Sequence, residues 1–264
     1  MDRVLGALVV SICTLALTGC GGIQVGEESI VNRFLNTPQA NPAELARDPY
    51  DPDARYRGTV RLTMELLEPD DRILEIFRDN LDDEYAAVRA AAARGLGVHG
   101  VAADGALLAA ALNDPEPIVR RSAATGLQRI HEPEATDRLL ELIEPTTEPD
   151  QNVRVEAALA LGQYPQSDVV VGLVASLRSE TEQSLAVHAS VVRSLELLTG
   201  QDFGLDFIAW QSWIDENGSW FADQQDYVYP VFSRSRAWWE YLPWMPLPPN
   251  ETSSTPIGLT RTPQ

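Results

Sequence analysis

Lysine is absent from the 264 residues, and all 20 basic side chains are arginine. That excludes Schiff-base chemistry and any P-loop, whose Gly-Lys-Ser/Thr places a lysine on the phosphates. Cysteine is nearly absent, with Cys13 and Cys20 the only two. Histidine is limited to His99, His131 and His188. Cationic charge is outweighed throughout: 39 acidic side chains give a formal net charge of −19. An acidic surface repels phosphate backbones, so nucleic acid is excluded as a partner. No nucleophile elbow or His-Glu-x-x-His motif occurs, and no acid pair stands out among so many, so the chain reads as a non-enzyme. No cofactor is implied.

Long apolar runs are also missing, except at the start. Val4 to Leu17 is apolar or small throughout and follows Arg3. It falls short of the roughly 20 residues that span a bilayer, so it reads as the hydrophobic stretch of a leader, residues 1–19. The stretch ends in Leu17-Thr18-Gly19-Cys20, which resembles the bacterial lipobox. That resemblance implies cleavage before Cys20 and acylation of its thiol. Removing one Asp and one Arg leaves the net charge unchanged. The mature chain then keeps one cysteine, no disulfide is possible, and packing must supply the stability. Each buried acyl CH2 adds about 0.8 kcal/mol, so two or three chains make a firm anchor. Anionic lipid would repel the acidic chain, which leaves membrane attachment to the acyl groups. Gly21 follows the cysteine rather than an inner-membrane retention aspartate. The expected location is therefore the cell envelope, at the outer rather than the inner membrane.

What is present is a repeat. Val88-Arg89-Ala90-Ala91-Ala92-Ala93-Arg94-Gly95-Leu96 is followed by Val119-Arg120-Arg121-Ser122-Ala123-Ala124-Thr125-Gly126-Leu127. Next come Val153-Arg154-Val155-Glu156-Ala157-Ala158-Leu159-Ala160-Leu161 and the weaker Val187-His188-Ala189-Ser190-Val191-Val192-Arg193-Ser194-Leu195. The anchor valines are 31, 34 and 34 residues apart. Apolar or small residues at 0, +4 and +8 form one face of a helix. A second apolar stretch follows each copy: Leu107 to Leu112, Leu139 to Ile143 and Val170 to Leu177. An earlier one, Ile73 to Leu81, precedes the first. Each unit is thus a helix pair, A then B. Asp83 and Asp114 each stand five residues before their valine, with Asp114-Pro115 read as an N-cap and first helical proline. Asp150 stands nearer to Val153, so that junction is expected to be built differently.

These motifs resemble HEAT-like repeats, in the short bacterial form called the phycobilisome-lyase type. The resemblance implies an all-α, right-handed α-solenoid of four to five helix pairs with helical caps. It also implies that Arg89, Arg120 and Arg154 lie along the stack, bonded to an acid or carbonyl of a neighbouring turn. His188 replaces the fourth arginine, where the ladder is expected to stop. Two-helix units bury their apolar faces only by stacking, and the ends need caps. The expected order is a tether at 20–29, an N-terminal cap and degenerate repeat at 30–70, and HEAT-like repeats at 71–200. A capping helix region at 201–232 and an aromatic, proline-rich tail at 233–264 follow. The degenerate A helix is read on Val60, Met64 and Leu67. Thr199-Gly200 stops the fourth A helix, and Phe207, Trp210, Trp213 and Ile214 form the capping stripe. The ending from Leu198 to Gly204 is similar to endings of planctomycete-type envelope HEAT-repeat proteins. Residues 250–264 are polar and read as disordered.

Candidate ligand groups are few. His99 and His131 occupy equivalent turns, but no cysteine completes a zinc site, and we read them as solvated. Asp48, Asp51 and Asp53 are interrupted by Pro49 and Pro52 and lack a calcium loop's Gly and Glu. Asp79, Asp82, Asp83 and Glu84 read as a solvated turn. No metal is expected. Trp238, Trp239, Tyr241 and Trp244 either fold back as a second cap or grip a partner. The functional expectation is a lipid-anchored scaffold that holds a protein or peptide, of basic character, on an extended surface. The alternatives are a structural protein linking membrane to wall or coat and, by fold analogy alone, a bilin lyase.

Overall fold

The computed structural model describes residues 40–64, 70–178, 185–231 and 252–259. Chain contacts divide the molecule into Met1–Ala40 and Asn41–Gln264, and every described helix belongs to the second unit. Cys20, its lipobox, Leu67 and the aromatic group Trp238, Trp239, Tyr241 and Trp244 lie outside the described residues.

The architecture is all-α. In chain order the helices are α1 Pro42–Leu45, α2 Pro52–Met64, α3 Asp71–Asn80, α4 Ala86–His99, α5 Gly105–Ala111, α6 Pro117–Leu127, α7 Thr136–Leu142, α8 Gln151–Leu161, α9 Ser167–Ser176, α10 Leu185–Thr199 and α11 Phe207–Glu216. Helices α2, α4, α6, α8 and α10 stack in sequence as the A layer. Helices α3, α5, α7 and α9 each pack on the A helix that follows, and α11 packs on α9. Short 3-10 turns, Ala102–Asp104 and Pro133–Ala135, lead into α5 and α7.

The 0, +4, +8 face is the face that packs. Val88, Ala92 and Leu96 are buried, as are Val119, Ala123 and Leu127; Val153, Ala157 and Leu161; and Val187, Val191 and Leu195. Full burial of one valine or leucine stabilises by about 1.5–3 kcal/mol. Small residues matter equally where helices approach closely. A Cβ on Gly97 would stand 2.6 Å from Gly126 Cα, so α4 and α6 meet backbone to backbone. The four successive alanines of α4 are all buried beside that contact.

A further A helix begins earlier in the chain. Ala54, Gly58 and Leu62 of α2 are buried at the same 0, +4, +8 spacing, with Ala54 standing 34 residues before Val88. The stripe is therefore not the expected one, since Met64 is 69% exposed and Val60 only half-buried. Gly58 faces the backbone of Ala46, which lets α1 lie directly on α2.

At the other end α10 closes on Gly200, whose φ of 70° is the left-handed C′ position that glycine takes without strain. Beyond it Trp210 of α11 is fully buried, T-shaped against Phe203 at 4.9 Å, and donates its indole N–H to Gly204 O at 2.9 Å. Phe207 and Ile214 pack on the same core. The chain then runs back along the A-helix C-termini. Gln225 N–H donates to Leu197 O (2.8 Å), buried Tyr227 donates to Leu159 O (3.0 Å), and Arg129 lies over the Tyr229 ring at 5.0 Å. Residues 252–259 are seated as well, through a parallel β-bridge between Ile130 and Ile257. Over these residues the main chain has found hydrogen-bond partners, although only Pro256 is buried.

Candidate functional site

The most regular polar feature is a line of guanidiniums along the N-terminal ends of the A helices. Arg89 donates to both oxygens of Asp114, at 2.7 and 2.9 Å, and to the carbonyls of Asp83 and Glu84, at 2.8 and 3.1 Å. Arg120 repeats this with Glu148, at 2.6 and 2.9 Å, and with the carbonyls of Asp114 and Pro115, at 2.7 and 2.8 Å. Arg154, buried, donates to Glu148 O at 2.9 Å. Each carboxylate also accepts the N–H two residues on: Asp114 from Glu116, and Glu148 from Asp150, both at 2.9 Å. One acidic residue therefore joins three parts. Its carboxylate holds the arginine of the preceding repeat, its carbonyl holds the arginine of its own, and its second acceptor site closes the turn.

The line extends further than the three arginines read from sequence. Arg55 of α2 donates to Asp83 at 2.6 and 3.2 Å and to Asp48 O at 3.1 Å, and Asp83 in turn accepts Tyr85 N–H. Asp83 is therefore a buried joint rather than a member of a solvated turn, while Asp79, Asp82 and Glu84 are exposed. The junction before α8 follows the common plan, with Glu148 five residues before Val153 in the place of Asp. Asp114 is likewise not an N-cap. The cap of α6 is Glu116, Pro117 opens the helix, and Asp114 faces Arg89. The same offset falls on Glu182 before Val187, outside the described residues. A fourth such pair lies on the B side: Arg78 of α3 donates to buried Asp104 at 2.7 and 3.2 Å, and Asp104 also accepts Val101 N–H.

Electrostatics follow the geometry. The hydrogen bonds to Asp83, Asp104, Asp114 and Glu148 raise the basicity of Arg55, Arg78, Arg89 and Arg120 above that of a free guanidinium, against the opposing effect of burial. Burial alone would push the Asp114 carboxyl up. The Arg89 hydrogen bond, the Glu116 N–H and the nearby Arg89 and Arg120 charges outweigh it and hold the group below its ordinary value. Arg55, Arg89 and Arg120 are thus engaged within the stack, their side chains only 12–14% exposed.

The remaining candidates are structural too. His99 Nε2 lies 3.0 Å from Thr63 O, with its ring stacked on Phe77. His131 Nδ1 lies 2.9 Å from Gln163 Oε1, with its ring stacked on Tyr164 at 4.9 Å. Both are half-buried and bonded to adjacent units, not solvated. Asp48 accepts the N–H groups of Tyr50 and Asp51, and Asp51 accepts those of Asp53 and Ala54. In each case Oδ1 closes a local turn. Among the described residues no group of three or more His, Cys, Asp or Glu side chains could hold a metal ion. Gly95-Leu96-Gly97-Val98-His99-Gly100 has the spacing of a dinucleotide-binding turn. It closes α4 instead of opening a helix after a strand, and its first two glycines receive Phe77 and Gly126. A cleft of about 450 Å³ is lined by Ser167 and residues 217–222, with no Asp, Glu, His or Cys to activate a serine.

A layered stack of antiparallel helix pairs, tied repeat to repeat by arginine, defines an α-solenoid scaffold. A family model described as HEAT repeats matches residues 71–148 and 104–196, and this region is a HEAT-repeat-type helical domain. No curated protein matches the chain.

Proposed function

We propose that this protein is a lipid-anchored scaffold of a bacterial cell envelope that holds a protein or peptide partner through a basic segment. One observation carries the reading of the partner. The ladder turns Arg55, Arg89 and Arg120 inward, while acids on the same turns stay exposed: Glu116, and Glu84, which lies 3.7 Å from Arg55 yet is 76% exposed. The N-terminal edge of the A layer therefore presents repeated negative charge. Exposed aromatic and aliphatic side chains lie on the same edge, with Tyr85 at 47% and Ile118 at 52% exposure. A solenoid offers such a surface over a long span, and charge complementarity favours cationic partners and speeds their encounter.

The anchor rests on Leu17-Thr18-Gly19-Cys20, whose small residues and cysteine suit lipoprotein processing. The envelope location rests on that motif and on the resemblance of the 198–204 ending. Among the described residues no helix is long and apolar enough to cross a membrane.

Cross-linking in intact envelopes with mass spectrometry tests the scaffold. The expected result is a partner with a basic segment that exceeds a non-repeat lipoprotein control and is lost in the Glu84→Gln/Glu116→Gln double variant. Equal recovery by that variant overturns the acidic-edge reading. For the anchor, Cys20→Ser should abolish metabolic lipid labelling and release the chain from membranes; persistent labelling would refute it.

A further inference from the structure

The opposite edge of the A layer, at the helix C-termini, carries a different kind of contact. Ile257 N–H donates to Arg129 O at 2.8 Å, and His131 N–H donates to Ile257 O at 2.9 Å. These two bonds flank Ile130 and make one complete parallel bridge. We infer that the turn Arg129–His131 is a strand-pairing peptide site that reads an extended Pro-Ile-Gly segment, and that the chain's own Pro256-Ile257-Gly258 occupies it in cis.

Three observations carry this. First, the turn is also held by bonds to the stack. Ile130 is fully buried in the core, Arg129 N–H and Ile130 N–H both bond to Gly126 O, and the His131 ring is held by Gln163 and Tyr164 of the next repeat. A site held by the stack itself binds without an ordering cost. Second, recognition is through the main chain, as in strand addition to an open edge. The Ile257 side chain is 46% exposed, so its identity contributes little. Specificity falls on the flanks: Pro256 is buried, and Gly258 has φ 86°, which disfavours any residue with a side chain. Third, the seat is small. Among the described residues, the tail's other hydrogen bonds to the rest of the chain are Tyr229 N–H to Ser254 O at 3.2 Å and Tyr229 O–H to Thr252 O at 3.5 Å. So short a contact is favourable mainly because the tail is tethered, which gives it a high effective concentration. An untethered segment of the same chemistry, supplied by a partner protein, would compete for the seat.

The inference goes beyond the scaffold reading, since it concerns the opposite edge of the A layer and a neutral segment rather than a basic one. Its test uses the purified full chain, so it fails or succeeds independently of envelope cross-linking. The probe is a fluorescently labelled peptide of residues 252–259, followed by anisotropy. Ile257→Pro removes the N–H that bonds Arg129 O and so vacates the site, and Gly258→Val disfavours the same register by a second route. Both variants should bind the peptide saturably and at least tenfold more tightly than the unaltered chain. A peptide carrying the same Ile→Pro change should not bind. Equal binding by variant and unaltered chains, absence of binding to both variants, or equal binding of the proline peptide would each overturn the proposal.

Discussion

The two edges of the A layer solve the same problem with different chemistry. At the N-terminal edge, successive repeats are joined by ionic side chains: Arg55 to Asp83, Arg89 to Asp114 and Arg120 to Glu148. At the C-terminal edge, the next repeat and the returning chain both make neutral bonds to main-chain carbonyls. Tyr227 reaches Leu159 O, Gln225 reaches Leu197 O, and the buried Gln163 reaches Leu127 O. Carbonyls near a helix C-terminus lack intrahelical donors, so that edge needs donors rather than charge. The first edge should therefore respond to pH and to loss of a single partner. The bonds that Tyr227, Gln225 and Gln163 make at the second should respond to loss of a donor and not to pH near neutrality.

The largest effect is expected from Arg120→Ala, because Glu148 is 1% exposed and would be left buried without its cationic partner. Breaking a buried pair from one side costs about 3–5 kcal/mol, read as a lower urea midpoint. The double variant Arg120→Ala/Glu148→Ala should recover much of that loss. If it does not, the arginine contributes through packing rather than charge. Asp114→Asn comes next, at about 1.5–3 kcal/mol for a hydrogen bond to a charged group. The fold lowers the Asp114 pKa, so its contribution is complete above the ordinary carboxylate value and is lost as pH falls through the lowered one. The stability gap between the unaltered chain and Asp114→Asn should hold from neutral pH to about 5 and close below about 4. A gap that persists in acid would remove the ionic character of that edge. The smallest effect is Tyr227→Phe, about 1 kcal/mol. Burial pushes the Tyr227 hydroxyl further above its ordinary value, so it stays a donor. The loss in thermal denaturation should be the same at about pH 5 and pH 8. A pH-dependent loss would erase the contrast between the edges.

The contrast also explains what could be read from sequence. The helix pairs were legible because packing forces small and apolar residues to a fixed spacing, and Val88, Val119, Val153 and Val187 all lie in the core. The acidic partners were less legible. Glu148 occupies an aspartate's offset, since one extra methylene still reaches Arg120, and a search keyed to aspartate passes over it. The first A helix was legible, but its packing face was hidden by its own closeness. Ala54 and Gly58 are too small to register as an apolar stripe, yet their size is what admits α1. The C-terminal segment could not be read at all from composition. Its bonds come from N–H and C=O groups that nearly every residue carries, and only Pro256 and Gly258 hint at a special backbone.

The direction of that segment has a consequence for how the molecule comes apart. A linear stack ordinarily frays from its last unit, since that unit has a neighbour on one side only. Here the chain leaves α11 and travels against the order of the repeats, touching α10, then α8, then the turn after α6. The terminal helix pair cannot loosen fully while these interior contacts hold. The end of the array thereby shares the persistence of its middle, and hydrogen exchange in α10 should slow toward that of α6 instead of marking the first part to open.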